Sequence, residues 1–190
     1  MRRTSKKTLV RTALAVTATA AVGGLSTDAR SGWYARLRKP SWQPPPKAFG
    51  LVWTPLYATI AYASARALSH GDDGSRPALR RALAANLALN AAWPPLFFRA
   101  RNPRLALAEI LALNVSNALL TRRLLRQDRT AGLLLLPYAG WTVFATALNA
   151  AIARNNPEAR LPRRRKVIRG AGRSRPSRGA WRQRGRAPIP

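Results

Sequence analysis

Five apolar stretches, each about as long as a bilayer is thick, follow one another along the chain with only short polar breaks between them. A helix needs roughly 20 mostly apolar residues to cross hydrocarbon. The stretches run over about 8–26, 49–68, 77–98, 103–125 and 130–153. The breaks hold Gly, Pro, Asp and Arg. Pro77 and Pro103 fall in the first turn of their stretches, where a helix tolerates proline. This spacing predicts an all-α membrane protein, an up-and-down bundle of five transmembrane helices. Ala-rich helices with scattered arginines also build soluble bundles. Here, however, Arg66, Arg80, Arg81 and Arg104 sit near helix ends, where a long side chain can reach the interface. Trp33, Trp42 and Trp53 fit an interfacial aromatic belt. The first stretch, after "MRRTSKK", reads either as a span or as a signal peptide.

The net charge of +28 first suggests a nucleic-acid binder. Its distribution argues otherwise, because the cations gather at the N-terminus, in loops and above all after Arg154. Two regions follow: a helical domain over 1–154 and a basic tail over 155–190, which has little apolar periodicity and should be disordered. The tail is a candidate partner for anionic lipid or RNA. Its cations also place the C-terminus in the cytoplasm by the positive-inside rule. There is no Cys, and the one histidine, His70, lies in a polar loop. A thiolate or histidine metal centre and a catalytic triad are therefore excluded.

Helical spacing organises the polar residues inside the spans. Asn86, Asn90, Trp93 and Phe97 share one face of the third. Opposite them run Ala84, Ala88 and Ala92, a stripe that permits close helix approach and is the expected dimer contact. Trp53 and Tyr57 are one turn apart in the second span. Tyr138, Trp141, Ala145 and Asn149 share a face of the fifth, and the fourth carries Glu109, Asn114, Ser116 and Asn117. Polar groups in hydrocarbon should turn inward and pair. The aromatics converge on one half of the bundle, beside the proline-rich loop. Flat rings with a few polar tips suit a large planar apolar ligand.

The segment "WYARLRKPSWQPPPKAFGLVWTPLY" resembles the signature of the TspO/MBR family, the tryptophan-rich sensory proteins whose mitochondrial members include the translocator protein, or peripheral benzodiazepine receptor. "LNAAWPPLFF" and "LLPYAGWTVFATALN" continue the likeness in order over about 10–155. The resemblance implies that the first stretch is a retained span, that the chain is a homodimer in membrane lipid, of the bacterial cell membrane, and that no cofactor is required. It implies porphyrin or haem as ligand. The matching pocket residues are Trp33, Tyr34, Trp53, Tyr57, Asn90, Trp93, Tyr138 and Trp141, under a lid stiffened by prolines. Two features depart from the family. The fourth span lacks an aromatic-rich stretch, and the fifth ends in "ALNAAIAR", without the tyrosine of the proposed sterol motif.

Three functions follow as expectations. The first is a tetrapyrrole-binding sensor or transporter that modulates porphyrin levels or stress responses. The second is a light- or oxygen-dependent porphyrin-degrading enzyme, with Trp53 and Trp141 as candidate redox groups; no nucleophile or acid–base pair supports hydrolysis. The third is a basic-tail interaction module anchored by the spans.

Overall fold

The computed structural model describes residues 4–159, and these contain helices and connecting turns only. Of the 155–190 tail expected to be disordered, 155–159 are ordered, with Asn156 bonded to Arg38, and the rest lies outside the described residues. In chain order the helices are α1 (Lys6–Ser26), α2 (Gly32–Arg36), α3 (Pro46–His70), α4 (Arg76–Pro94), α5 (Pro103–Gln127), α6 (Arg129–Leu134) and α7 (Leu136–Asn155). Helix α4 runs on into a wide π turn, Pro95–Arg99. Pro94 and Pro95 have no N–H to give the α ladder. The wider ring instead closes from the Ala100 N–H to the Pro95 carbonyl at 2.9 Å. Arg101 then adopts a positive φ of 51°. Asn102 caps α5, its side chain accepting from the Leu105 N–H at 3.1 Å.

The fifth stretch is one apolar helical run, Arg129–Asn155, interrupted at a single residue. Pro137 cannot donate, and its ring crowds the carbonyl four residues before it. The chain therefore turns at Leu135 between α6 and α7. Helix α6 lies so close on α5 that Gly132 has no room for a side chain: a Cβ there would sit 2.8 Å from the Leu125 backbone nitrogen.

Three stretches are apolar and long enough to cross a membrane: Lys6–Ser26, Pro103–Gln127 and Arg129–Asn155. Helices α3 and α4 are comparable in length but more dilute. Pro, Trp, Tyr and Ser interrupt α3, while α4 carries Arg76, Arg80, Arg81, Asn86 and Asn90. Helix α4 packs between α1 and α5, and α5 between α4 and α7, while α1 also packs on α3. The core holds Leu56, Ile60, Leu83, Leu87, Leu120 and Leu124. Large apolar side chains such as Leu14, Leu25, Leu51, Val115 and Val143 stay exposed on the outside. That inversion suits a hydrocarbon solvent.

The loop from Thr27 to Pro45 folds back over one end of the bundle. Leu37 is buried in a cluster with Phe97, Leu148 and Ile152. Asn156, just past α7, clamps the loop in both directions. Its Oδ1 accepts from the Arg38 N–H at 2.9 Å, and its Nδ2 donates to the Arg38 carbonyl at 3.0 Å.

Asp128 fastens the opposite end. It caps α6 by accepting from the Ala131 N–H at 2.9 Å, and it also takes Arg66 Nε at 2.9 Å and His70 Nδ1 at 2.5 Å from α3. Burial alone would push its carboxyl up. The donors from Arg66, His70 and Ala131 outweigh burial and bring it from 3.8 down to about 2. The lowered value means that protonation favours the unfolded chain. The carboxylate's contribution is therefore complete above the ordinary value of 3.8 and is lost as pH falls through about 2. Thermal unfolding in detergent should show a midpoint that drops across this acid window in the wild type. Asp128→Asn should start lower and flatten that part of the profile.

Candidate functional site

Beneath the loop lies a cavity of about 410 Å³ whose wall comes from α1, the α2 loop, α3, α4, α5 and α7. Pockets that bury most of a drug-sized molecule have this size and mostly apolar lining. Local sequence explains how each element contributes. On α1 the wall is Ala20, Gly23 and Gly24, small enough to leave space. A Cβ on Gly23 would meet the Tyr57 hydroxyl at 3.8 Å, an ordinary contact, so α1 forms a smooth side rather than a plug.

Rings make the rest. Trp53 stacks on Tyr57 with centroids 5.1 Å apart, and Trp93 stacks on Phe97 at 4.9 Å, each pair one turn apart on its helix. Trp141 meets Phe49 edge-on at 5.9 Å. From the loop, Tyr34 reaches the wall and packs on Phe98 at 5.4 Å. The Ser31 hydroxyl starts α2 by accepting from the Tyr34 N–H. The Tyr34 hydroxyl accepts from Gln43 Nε2 at 3.2 Å, and Lys39 lies 4.3 Å over its ring. Burial raises the Tyr34 phenol, partly offset by the Gln43 bond.

Six of the eight residues named from the sequence therefore stand on one cavity wall: Tyr34, Trp53, Tyr57, Asn90, Trp93 and Trp141. Trp33 and Tyr138 do not. Trp33 packs edge-on behind Phe97 at 5.6 Å. Tyr138 is fully buried one layer further in, with its ring 6.2 Å from Trp53. Its shared helical face with Trp141 turns it inward, but α3 and α4 close over it.

The Tyr138 hydroxyl instead centres a hydrogen-bonded ladder. The Tyr57 hydroxyl donates to Asn90 Oδ1 at 3.1 Å, and Asn90 Nδ2 donates to the Tyr138 hydroxyl at 2.9 Å. Tyr138 donates on to Asn86 Oδ1 at 3.3 Å. Asn86 Nδ2 reaches Asn117 Oδ1 at 2.6 Å, and Asn117 Nδ2 reaches the Thr142 hydroxyl at 2.8 Å. Thr142 in turn donates to Asn114 Oδ1 at 2.9 Å. A second link joins Trp93 Nε1 to Asn149 Oδ1 at 3.0 Å, and Asn149 Nδ2 to the Pro103 carbonyl at 2.7 Å.

Several shielded side chains stand outside this pairing, Ser64, Thr121, Trp141 and Glu109 among them. The Trp141 indole N–H is shielded and has no hydrogen-bond partner among the described residues. Both oxygens of Glu109 are likewise shielded and unpaired, so it does not join the ladder of its helix neighbours Asn114 and Asn117. Sequence reasoning did not place Gly23, Phe49 or Thr142 at the cavity. For Thr142 the signal was present, four residues after Tyr138, but a threonine on a helix looks the same whether it bonds its own backbone or a neighbour.

The arrangement can hold a flat apolar molecule between rings. Among the described residues no three His, Asp or Glu side chains gather as metal ligands. The alanines of the expected dimer stripe lie away from the cavity: Ala84 and Ala88 are exposed and Ala92 half-buried.

Comparison with known proteins identifies the family. The TspO/MBR family pattern matches residues 12–154. The chain is 39% identical over 146 residues to the tryptophan-rich protein TspO of Archaeoglobus fulgidus, covering 76% of this chain and 94% of that one. It is 38% identical over 126 residues to the human translocator protein, covering 65% and 75%. It is 37% identical over 131 residues to a tryptophan-rich sensory protein of Cereibacter sphaeroides, covering 67% and 81%. With its Trp-Tyr loop, its aromatic cavity and a match along most of its length, the chain belongs to the TspO/MBR family of membrane proteins.

Proposed function

We propose that the protein is a membrane sensor or transporter that binds a tetrapyrrole, a porphyrin or haem, in the cavity under the loop. The observation that carries this reading is an apolar cavity walled by the rings of Trp53, Trp93 and Trp141. A planar ligand would stack on these rings. In this reading α1, α3, α4, α5 and the α6–α7 pair are five crossings. The C-terminus is cytoplasmic, and the membrane is that of a bacterial cell.

The direct test is quenching of tryptophan fluorescence by protoporphyrin in the purified protein. Lack of quenching at micromolar porphyrin would sink the reading. Within that titration Trp141→Ala should weaken binding by about 2 kcal/mol, roughly thirtyfold. Trp42→Ala should cost well under half of that. Trp42 is 49% exposed and packs on Phe144 outside the cavity. An equal loss at both positions would move the ligand into the loop.

The cavity wall holds no histidine, methionine or cysteine, and the hydroxyls of its two tyrosines already bond Gln43 and Asn90. Its grip on a tetrapyrrole would come from stacking and edge contacts rather than axial ligation. Metal-free protoporphyrin and haem should therefore bind within about tenfold of each other. A preference for haem of a hundredfold or more, by absorbance titration, would contradict this.

A homodimer through Ala84, Ala88 and Ala92 completes the proposal. Small exposed residues let two helices approach closely. Ala88→Trp should weaken the dimer in cross-linking while leaving porphyrin affinity unchanged, since residue 88 is not on the cavity wall. An unaltered dimer would assign the contact elsewhere.

A further inference from the structure

A second depression, about 470 Å³, lies outside the bundle on the seam between α5 and α7. It is separate from the cavity and shares no wall residue with it. Arg104 comes from the first turn of α5 and Arg154 from the last turn of α7. The two helix ends that carry them lie at the loop end of the bundle, where Trp42 supplies the third polar-and-apolar element of the rim. The floor is apolar: Leu107, Ala147, Ala150 and Ala153.

The seam continues past this floor. Leu111 follows Leu107 by four residues and is 52% exposed; Val143 precedes Ala147 by four and is 62% exposed. Arg104, Leu107 and Leu111 share a face of α5, as Val143, Ala147, Ala150 and Arg154 do of α7. Seven residues of helix from Arg104 to Leu111 make about 10 Å, a large part of one hydrocarbon leaflet. The surface is thus cationic at the interface and turns to an alkyl furrow towards the membrane interior.

Neither arginine forms an ion pair among the described residues. Glu158, the acid nearest to Arg154 in sequence, is exposed and unpaired with it. Two guanidinium groups on one rim invite a bidentate anion such as phosphate. The alanines leave a shallow trough rather than a stacking surface, which suits an alkyl chain better than a rigid ring system. The chain's own C-terminal segment is strongly basic, of the same sign as the rim.

We infer that this seam is a binding site for one anionic phospholipid, its phosphate between Arg104 and Arg154 beside Trp42 and an acyl chain along Leu107, Leu111, Ala147 and Val143. The inference rests on the membrane location of the family and not on the tetrapyrrole. The zwitterionic choline headgroup places a cation against the same arginines, so the site discriminates between headgroups of equal chain length.

The test uses the full chain in a non-ionic detergent, incubated with phosphatidylglycerol or phosphatidylcholine of identical acyl chains. Retained lipid is counted by native mass spectrometry. The wild type should hold one phosphatidylglycerol per chain with a preference over phosphatidylcholine on the order of tenfold or more. The double variant Arg104→Gln with Arg154→Gln should lose that preference. Arg122→Gln with Arg123→Gln, an equal charge change on exposed positions at the other end of α5, should keep it. Phosphatidylglycerol with brominated chains should quench an increment of fluorescence that is absent in Trp42→Phe. Unchanged preference in the Arg104/Arg154 variant, or equal retention of both lipids by the wild type, overturns the site. So does efficient cross-linking between copies through Ala147→Cys, which would give the seam to a second chain. Thermal unfolding of each variant, followed by circular dichroism, reports folding independently. If the double variant unfolds, Arg104→Gln alone decides by its loss or retention of preference. A wild type that keeps the lipid preference but binds no porphyrin would refute the proposed function and leave this site standing.

Discussion

Polar groups carried into hydrocarbon must find partners inside the protein, and that requirement sets the arrangement of these helices. Water is absent there, so an unmatched amide costs several kcal/mol. Asn86, Asn90, Asn117 and Thr142 are all at or below 5% exposure, and each hands a hydrogen bond to a neighbouring helix. Because every member is both donor and acceptor, a shift of one helix by one turn would break several bonds together. Alkyl contacts do not have that property: leucine against leucine looks much like leucine against lipid. The ladder thus fixes register.

The same ladder shapes the cavity. Asn90 presents its amide between Tyr57 on the wall and Tyr138 behind it. Tyr57 is thereby held against Trp53, and Trp93 is held by Asn149 against Phe97. Two wall tryptophans are therefore positioned through a hydrogen bond at or beside them, whereas Trp141 is held by ring contacts alone. A wall made in this way is rigid before any ligand arrives, which lowers the ordering cost of binding.

The two ends of the bundle are fastened by different chemistry. At the loop end the contacts are aromatic and amide, with Asn156 gripping the backbone of Arg38. At the other end a carboxylate, Asp128, gathers a guanidinium, an imidazole and a helix N–H. The charged fastening sits away from the ligand cavity, so the cavity itself contains no fixed charge that an apolar ring system would have to desolvate.

The sequence by itself determined the membrane character, the family and the helical faces. Apolar length is additive along a chain, and i, i+4 spacing fixes which side chains share a side whatever they pack against. That is why Asn90 and Trp93 were legible as inward residues, and why Trp53 and Tyr57 were legible as a pair. Only the tertiary structure decided depth. Tyr138 and Trp141 share a face, yet one lies behind the wall and the other on it, because Trp53 of α3 and Asn86 and Asn90 of α4 close over Tyr138 while Trp141 meets Phe49 at the cavity. Trp33 and Tyr34 are adjacent in a five-residue helix, and the position of Phe97 and Phe98 settles which of them reaches the cavity. The meeting of Arg104 and Arg154 on one rim likewise depends on how α5 and α7 pack. Periodicity carries an angle around one helix, but the distance to the next helix is set by packing, and packing is not written in any single segment.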